Sequence, residues 1–184
     1  MYLKLLKNLH IGLIVLAFVI TVGALFGGEF LTTKFKVVDP LKRDLQTVKA
    51  IKDFSVKQGK DGMVISLRLR KVDNLQKVLD YVEQRAEFYY NLPVKTFKIS
   101  DQRNTYLEEV RYQLSFYLEE AAVSGHYIQL KQELDSCRGV RAKAYFSQNN
   151  IYLQLEKGAN YLYEVIPVPA KALTFNNNSG GDSA

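Results

Sequence analysis

A charge-free apolar run near the N-terminus constrains this chain more than any other feature. Residues 9–28 read LHIGLIVLAFVITVGALFGG and contain no Lys, Arg, Asp or Glu. A hydrocarbon core about 30 Å thick needs about 20 helical residues, each adding about 1.5 Å. A buried core helix of that length normally carries a polar stripe. The run therefore predicts a single-pass transmembrane helix, with residues 9–28 in contact with membrane lipid.

Removal as a signal peptide is the main alternative for this segment. Lys4 and Lys7 form a basic n-region, and residues 22–24 supply the small side chains that a signal peptidase reads. Against cleavage, the apolar run continues past that point through Leu25 and Phe26. We therefore favour a retained signal-anchor.

The charges on either side of the apolar run give conflicting indications of how the helix is oriented in the membrane. Lys34, Lys36, Lys42 and Arg43 follow the run, and by the positive-inside rule they would hold the C-terminal side in the cytoplasm. Large following domains, however, translocate largely regardless of charge, and a basic n-region before an apolar run is an export signal. We expect a protein of the cell membrane whose soluble domain is extracytoplasmic.

Five segments follow from composition along the 184 residues. They are a short basic N-terminus at 1–8, the anchor at 9–28, a stalk at 29–48 interrupted by Pro40, a soluble domain at 49–168 and a disordered tail at 169–184. The tail ends in NNNSGGDSA and has almost nothing to bury. The remaining body is long enough for one hydrophobic core.

The first half of the soluble domain predicts the order β-β-α-β. Strands are expected at 50–57 and 63–70, the second because its apolar residues alternate strictly with polar or charged ones. Apolar residues at helical spacing predict a helix over 75–90, and 94–99 returns as a strand.

The second half predicts one long helix and three strands. Thr105 and Glu108 match a capping box, and the helix is expected to run to about Ser136 unless the Ser124–Gly125 pair breaks it. An apolar seam follows at spacings of three and four: Leu107, Val110, Leu114, Tyr117, Ala121, Ser124 and Ile128. Strands are expected at 140–146, 151–155 and 161–166.

These elements predict an α+β fold, an antiparallel-rich sheet (ββαβ then αβββ) packed on two helices. If the apolar arc of the 107–128 helix is wider than the sheet needs, the surplus should contact another molecule.

Familiar catalytic patterns are missing from the sequence. The two histidines are His10, inside the apolar run, and His126, and Cys137 is the single cysteine. No CxxC pair can therefore form, and a catalytic triad could use only His126. No GxSxG or phosphate-loop pattern occurs. Glutamates spaced eleven residues apart on the long helix are expected to be solvated and partnered by Arg111 and Lys131. We predict a protein that is not an enzyme and uses no cofactor or metal.

Tyrosines and basic residues point to an interaction surface instead. The chain has twelve tyrosines and a net charge of +6, and tyrosine is common at interfaces because it joins large contact area to a polar group. Membrane anchorage disfavours nucleic acid as the partner. The candidate residues are Arg68, Arg70, Tyr112, Tyr117, Arg141, Lys143 and Tyr145.

The leading functional hypothesis is a non-enzymatic envelope protein, anchored by one helix, that acts as a structural, assembly or protein-interaction subunit. Its partner would be another protein or a second copy of itself. In layout alone the chain is similar to the bitopic subunits of bacterial secretion, pilus and sporulation complexes. The alternative is a membrane-tethered ligand-binding or sensor module, which would need a ligand-sized apolar pocket. An envelope enzyme is the third possibility.

Overall fold

The computed structural model describes residues 15–22 and 39–169. The chain divides into two units, Met1–Leu45 and Gln46–Ala184. The described elements are α1 (Asp39–Gln46), β1 (Ile51–Gly59), β2 (Gly62–Leu69), α2 (Leu75–Tyr90), β3 (Val94–Ser100), α3 (Thr105–Ser124), α4 (Tyr127–Ser136), β4 (Arg141–Phe146), β5 (Asn150–Lys157) and β6 (Asn160–Pro167).

In the first unit, residues 15–22 are helical. The large apolar side chains between Val15 and Ile20 are exposed, from 56% at Val15 to 68% at Phe18. The rest of the predicted anchor at 9–28 lies outside the described residues, as do 1–8, most of the stalk and the tail beyond 169. Within residues 15–22 and 39–169, none of the helices combines the length and apolar character needed to cross a bilayer.

Pro40, which was predicted to interrupt the stalk, lies inside α1. It is the second residue of the helix, where a missing N–H has no intrahelical acceptor to lose and the fixed φ suits the first turn. Leu41 and Leu45, one helical turn apart, are buried.

The second unit is mixed α+β, but the six strands described up to residue 169 form two sheets of three, ordered β1-β2-β3 and β4-β5-β6. The prediction of one antiparallel-rich sheet is therefore only partly right. β2 and β3 are parallel, because α2 crosses between them and returns the chain in the same direction. We refer to β1-β2-β3 as the first sheet and to β4-β5-β6 as the second sheet.

The two sheets meet along β3 and β6 but do not merge. Next to β3, Gln102 and Tyr161 form an isolated antiparallel bridge. Further along, side chains take the edge amides: the Asp101 carboxylate accepts from Tyr163 N–H at 2.8 Å, and Glu87 accepts from Val94 N–H at 2.9 Å. Both edges thus satisfy part of their backbone without a common ladder.

The second sheet lies at the centre of the domain. On one face, Ile151, Leu153 and Leu155 of β5 pack into a core cluster with the buried residues of α3 and α4. The opposite face of β5 is also buried, although it carries Gln154 and Glu156. A strand buried on both faces needs a layer on each side, and α2 packs against β4 and β5.

The long helix predicted over 105–136 breaks in two. Gly125 is the C-cap of α3 with φ 72°, and its N–H bonds Ala121 O, the left-handed ending that glycine adopts without strain. Ile128 consequently leaves the predicted seam and is 77% exposed. The N-cap is also one residue earlier than predicted. Asn104, not Thr105, accepts from the N–H of Leu107, at 3.0 Å.

Candidate interaction surface

The solvent side of α3 carries an apolar stripe, which we define as Tyr112, Phe116 and Val123. These side chains are 63%, 75% and 60% exposed. Spacings of four and seven residues place them along one line of the helix. Nothing among the described residues packs over that line, so α3 presents a strip of apolar surface about three turns long.

The sequence produces this stripe because α3 has two apolar series, not one. The buried series is Leu107, Val110, Leu114, Leu118, Ala121 and Ala122, and it covers the second sheet. The stripe lies on the other side of the helix. A surface helix normally has one apolar side and one polar side, so a second apolar series on the exposed side is a surplus that the fold does not use.

Glutamates flank the stripe on both sides. Glu108 and Glu119 lie along one border, and Glu109 and Glu120 lie along the other, by helical geometry. Gln113 donates to Glu109 at 3.2 Å. Within residues 15–22 and 39–169, no ion pair is formed by these four carboxylates.

The cations predicted to partner these glutamates, Arg111 and Lys131, form their direct ion pairs with other carboxylates. Arg111 reaches across to Glu164 on β6 in a bidentate pair at 2.7 and 2.6 Å, and that carboxylate raises the pKa of Arg111 further. Lys131 pairs with Asp135 on its own helix. The four border glutamates therefore form no ion pair within the described residues, although the charge of Glu119 acts on Arg111 and that of Glu108 acts on Arg103.

The predicted basic-aromatic residues fall in separate places. Arg68 and Arg70 are exposed on β2 and just after it, and Arg70 donates to Lys49 O at 3.1 Å. Tyr112 belongs to the stripe, whereas Tyr117 packs against the core cluster.

Arg141, Lys143 and Tyr145 share one face of β4, opposite Glu156, Gln154 and Tyr152 in the register. Arg141 pairs with Glu156, and that carboxylate raises the pKa of the guanidinium. The Tyr145 hydroxyl donates to Asp73 O at 3.1 Å. Two of these three side chains are thus engaged within the domain.

Several tyrosines of the second sheet bond inward to the segment that joins β2 to α2. Tyr161 donates its hydroxyl to Leu69 O at 2.9 Å, and the Tyr163 hydroxyl accepts from Val72 N–H at 2.9 Å. Burial raises the pKa of Tyr163 well above its ordinary value, so this phenol stays protonated.

Gln154 holds the same segment through both ends of its amide. Its Nε2 donates to Val72 O at 2.7 Å, and its Oε1 accepts from Leu75 N–H at 3.2 Å. The same Nε2 also donates to Glu156 at 2.7 Å. Several tyrosines and polar residues of the kind predicted to form an interface therefore stabilise a buried junction between the two halves of the domain instead.

The two residues considered for catalysis have structural positions. His126 is the N-cap residue of α4. The Cys137 thiol donates to Glu133 O at 3.4 Å, and burial, with a contribution from the Glu133 charge, raises its pKa, which disfavours the thiolate. Across the described ranges 15–22 and 39–169, no three His, Cys, Asp or Glu side chains converge on a point where a metal could bind.

A broad groove of about 580 Å³ lies beside the start of α2. It is open to solvent, and its lining includes Lys49, Arg70, Lys71 and Lys77. Its size is in the range of small-molecule pockets, but such pockets are usually more enclosed than this groove.

The chain matches no protein-family model, no curated protein and no solved structure. The residues of the surface itself must therefore carry any functional argument. Sequence reasoning found Tyr112 but missed Phe116 and Val123. The signal was present as a second apolar series on α3, offset from the seam that was assigned to the core.

Proposed function

We propose that this protein is a membrane-anchored, non-enzymatic assembly subunit that docks an amphipathic helix of a partner protein along α3. The observation that carries the proposal is the apolar stripe of Tyr112, Phe116 and Val123 on the solvent side of that helix. Exposed apolar strips bordered by charged residues are typical of protein-binding surfaces.

The charges around the stripe favour one kind of occupant. Four glutamates border it without an ion pair in the described chain, so they would repel an anionic lipid surface. A partner helix with apolar residues at i, i+4 and i+11 and Lys or Arg on its borders would satisfy both the stripe and the carboxylates.

Photo-crosslinking in intact membranes tests the docking surface. A photoreactive residue at position 116 should give a specific adduct, whereas the same residue at position 88 should not. Phe88 on α2 is a matched control because Phe88 and Phe116 are 74% and 75% exposed. Glu119→Lys with Glu120→Lys should abolish the adduct at 116. Equal adducts at 88 and 116, or adducts to lipid, would refute helix docking, and an adduct to a second copy would replace the hetero-partner by self-association.

The anchor is a second part of the proposal. The helical residues 15–22 support it, since the large apolar side chains from Val15 to Ile20 are exposed with respect to the described residues. In addition, the Thr21 hydroxyl donates to Ala17 O at 2.8 Å, as hydroxyl side chains do in lipid. Replacing Phe18 and Val19 by lysine should release the chain from the membrane fraction. A wild-type chain that is soluble without detergent would disprove the anchor.

We also propose that the soluble domain is extracytoplasmic. In a chain with Ser179→Cys and Cys137→Ser, an impermeant maleimide should label intact cells. Labelling only after lysis would place the domain in the cytoplasm.

A ligand-binding module is the second candidate, supported by the groove beside α2. Its cations would suit an anionic small molecule. Lys71→Glu with Lys77→Glu should then abolish ligand binding while leaving the adduct at position 116 intact.

A further inference from the structure

The outer edge of β1 is a strand edge that pairs with nothing else among the described residues. β1 has nine residues, and it stands at the end of the first sheet with β2 as its neighbour. None of the nine is fully buried. Such an edge presents a row of backbone N–H and C=O groups that another strand can use.

The hydrogen bonds of β2 fix which residues of β1 face outward. Met63 N–H donates to Pro93 O at 2.9 Å, toward β3, whereas Arg70 N–H donates to Ala50 O at 2.7 Å, on the side of β1. Alternate residues of a strand direct their backbone groups to opposite neighbours. The backbone N–H and C=O groups of the even-numbered residues of β2 therefore point toward β1.

The register then sets the outward-facing groups of β1. Ser55 pairs with Ser66, so the backbone groups of Ser55 bond to β2. Phe54 and Val56 accordingly direct theirs to the open edge. The Phe54 N–H already has a partner there, the Asp53 carboxylate at 2.9 Å, which leaves its C=O and both Val56 groups without a strand partner.

We propose that a second copy of this chain pairs here, with the two β1 strands antiparallel across a two-fold axis at Ser55. Phe54 then lies opposite Val56 of the second copy, and each such pair exchanges two backbone hydrogen bonds. The two first sheets would join into one sheet of six strands. The proposal depends neither on the membrane anchor nor on the α3 stripe.

Side chains on both faces of β1 match in this register. On the outer face, Asp53 lies opposite Lys57 of the second copy, and the two-fold axis repeats that ion pair. On the inner face, the half-buried Phe54 and Val56 form two aromatic–β-branched pairs. Both kinds of cross-strand pair are favourable.

Neighbouring registers lose these matches. Only outward-facing residues can exchange hydrogen bonds, so the strand can shift only by moving the axis to Phe54 or Val56. With the axis at Phe54, Lys57 lies opposite Ile51; with the axis at Val56, it lies opposite Ser55. Neither shift pairs Asp53 with Lys57, so the sequence of β1 selects one register.

Asp53 explains how the edge is protected in the single chain. Its carboxylate holds the Phe54 N–H, and charges on an edge strand discourage indiscriminate pairing. On dimerisation the Phe54 N–H passes to Val56 C=O of the second copy, and the freed carboxylate meets Lys57. Within residues 15–22 and 39–169, neither Asp53 nor Lys57 has an ion pair that would compete.

Charge exchange in the full chain tests this pairing. Asp53→Lys or Lys57→Asp alone puts two like-charge pairs across the axis and should weaken the dimer roughly tenfold, measured by sedimentation in a mild detergent. The double variant D53K/K57D restores opposite charges and should recover affinity to within about threefold. The proposal would be overturned if the single variants dimerised as tightly as the wild type, or if the double variant dimerised no more tightly than the single variants.

A cysteine placed at the axis gives an independent readout. In a Cys137→Ser background, Ser55→Cys puts two thiols on directly opposed residues about 4.5 Å apart at Cα, within disulfide reach. Ser66→Cys is the matched control. Its two copies lie about 14 Å apart, three strand spacings across the joined sheet. Mild oxidation should crosslink only Ser55→Cys. Equal crosslinking of both, or a chain that stays monomeric at every concentration, would refute β1 pairing.

Discussion

The two sheets have three strands each but very different surroundings. Every residue of β5 between its first and last is buried, whereas none of β1 is. The second sheet has α3 and α4 on one face and the β2–α2 segment with α2 on the other. The first sheet buries only its inner face, through Met63, Ile65, Leu67 and Leu69 of β2. The difference shows that the packing of helices and loops on both faces of a sheet, more than its number of strands, decides how much that sheet contributes to the hydrophobic core.

Truncating a core side chain in each sheet should give the largest contrast. Leu153 on β5 is 0% exposed, so Leu153→Ala should cost about 2–5 kcal/mol of unfolding free energy through lost burial and a cavity. Phe54 on β1 is only half-buried, and Phe54→Ala should cost about 1 kcal/mol in the monomer. Urea denaturation at low protein concentration measures both. Equal losses would mean that the two sheets share one core.

Removing a hydroxyl from the junction between the sheets should lower the free energy of unfolding by less than the Leu153 truncation does. Tyr163→Phe deprives the buried Val72 N–H of its acceptor, which should cost about 1–3 kcal/mol. Tyr145→Phe is the control, since its hydroxyl bonds at the exposed rim and its loss should stay within about 0.5 kcal/mol. If the two losses were the same, the junction would not be held by its buried bonds.

The N-caps of α2 and α3, one in each half of the domain, should contribute equally to stability. Asn74 accepts from Lys77 N–H and Asn104 from Leu107 N–H, both at 3.0 Å. Replacing either asparagine by alanine should cost about 1 kcal/mol. Thr105→Ala should change stability by less than about 0.5 kcal/mol, measured by thermal or urea unfolding. A larger loss of stability from Thr105→Ala than from Asn104→Ala would instead support the predicted capping box, with Thr105 as the N-cap.

The smallest expected effect concerns pH and α2, the helix that joins β2 to β3 and packs on the second sheet. Burial, and then the charges of Glu87 and Asp80, raise the pKa of Glu83. A raised carboxyl pKa favours the folded state below the ordinary value near pH 4 and loses that contribution as pH rises through the folded value. Glu83→Gln should therefore stabilise the chain at neutral pH by a few tenths of a kcal/mol, discounted for solvent screening. A wild-type unfolding midpoint that does not fall relative to the variant between about pH 4 and 7 would contradict this.

Elements with strong local signals were predicted well from the sequence. The α2 helix spans Leu75–Tyr90 as its periodicity indicates, and the alternation over 63–70 corresponds to β2 at Gly62–Leu69. The break at Gly125 was recognised as possible, and the structure decides it. Part of the interaction surface was also predicted, since a surplus apolar arc on the 107–128 helix was considered and Tyr112 was named. The other residues named for the surface fall elsewhere: Tyr117 packs against the core cluster, and the rest lie on β4 or at the end of β2.

What the sequence by itself determined is the content and order of the elements, because hydrophobic periodicity and caps act between residues close in the chain. Tertiary structure decided how they combine. The six described strands form two separate sheets. Where the sheets meet, the Asp101 carboxylate accepts from Tyr163 N–H, a long-range contact that no local pattern encodes. Tertiary packing likewise left the second apolar series of α3 on the solvent side, because no described residue covers Tyr112, Phe116 and Val123. The ladder that β1 forms with β2 leaves Phe54 and Val56 on the open edge, and only the fold leaves that edge without a neighbouring strand in the described chain.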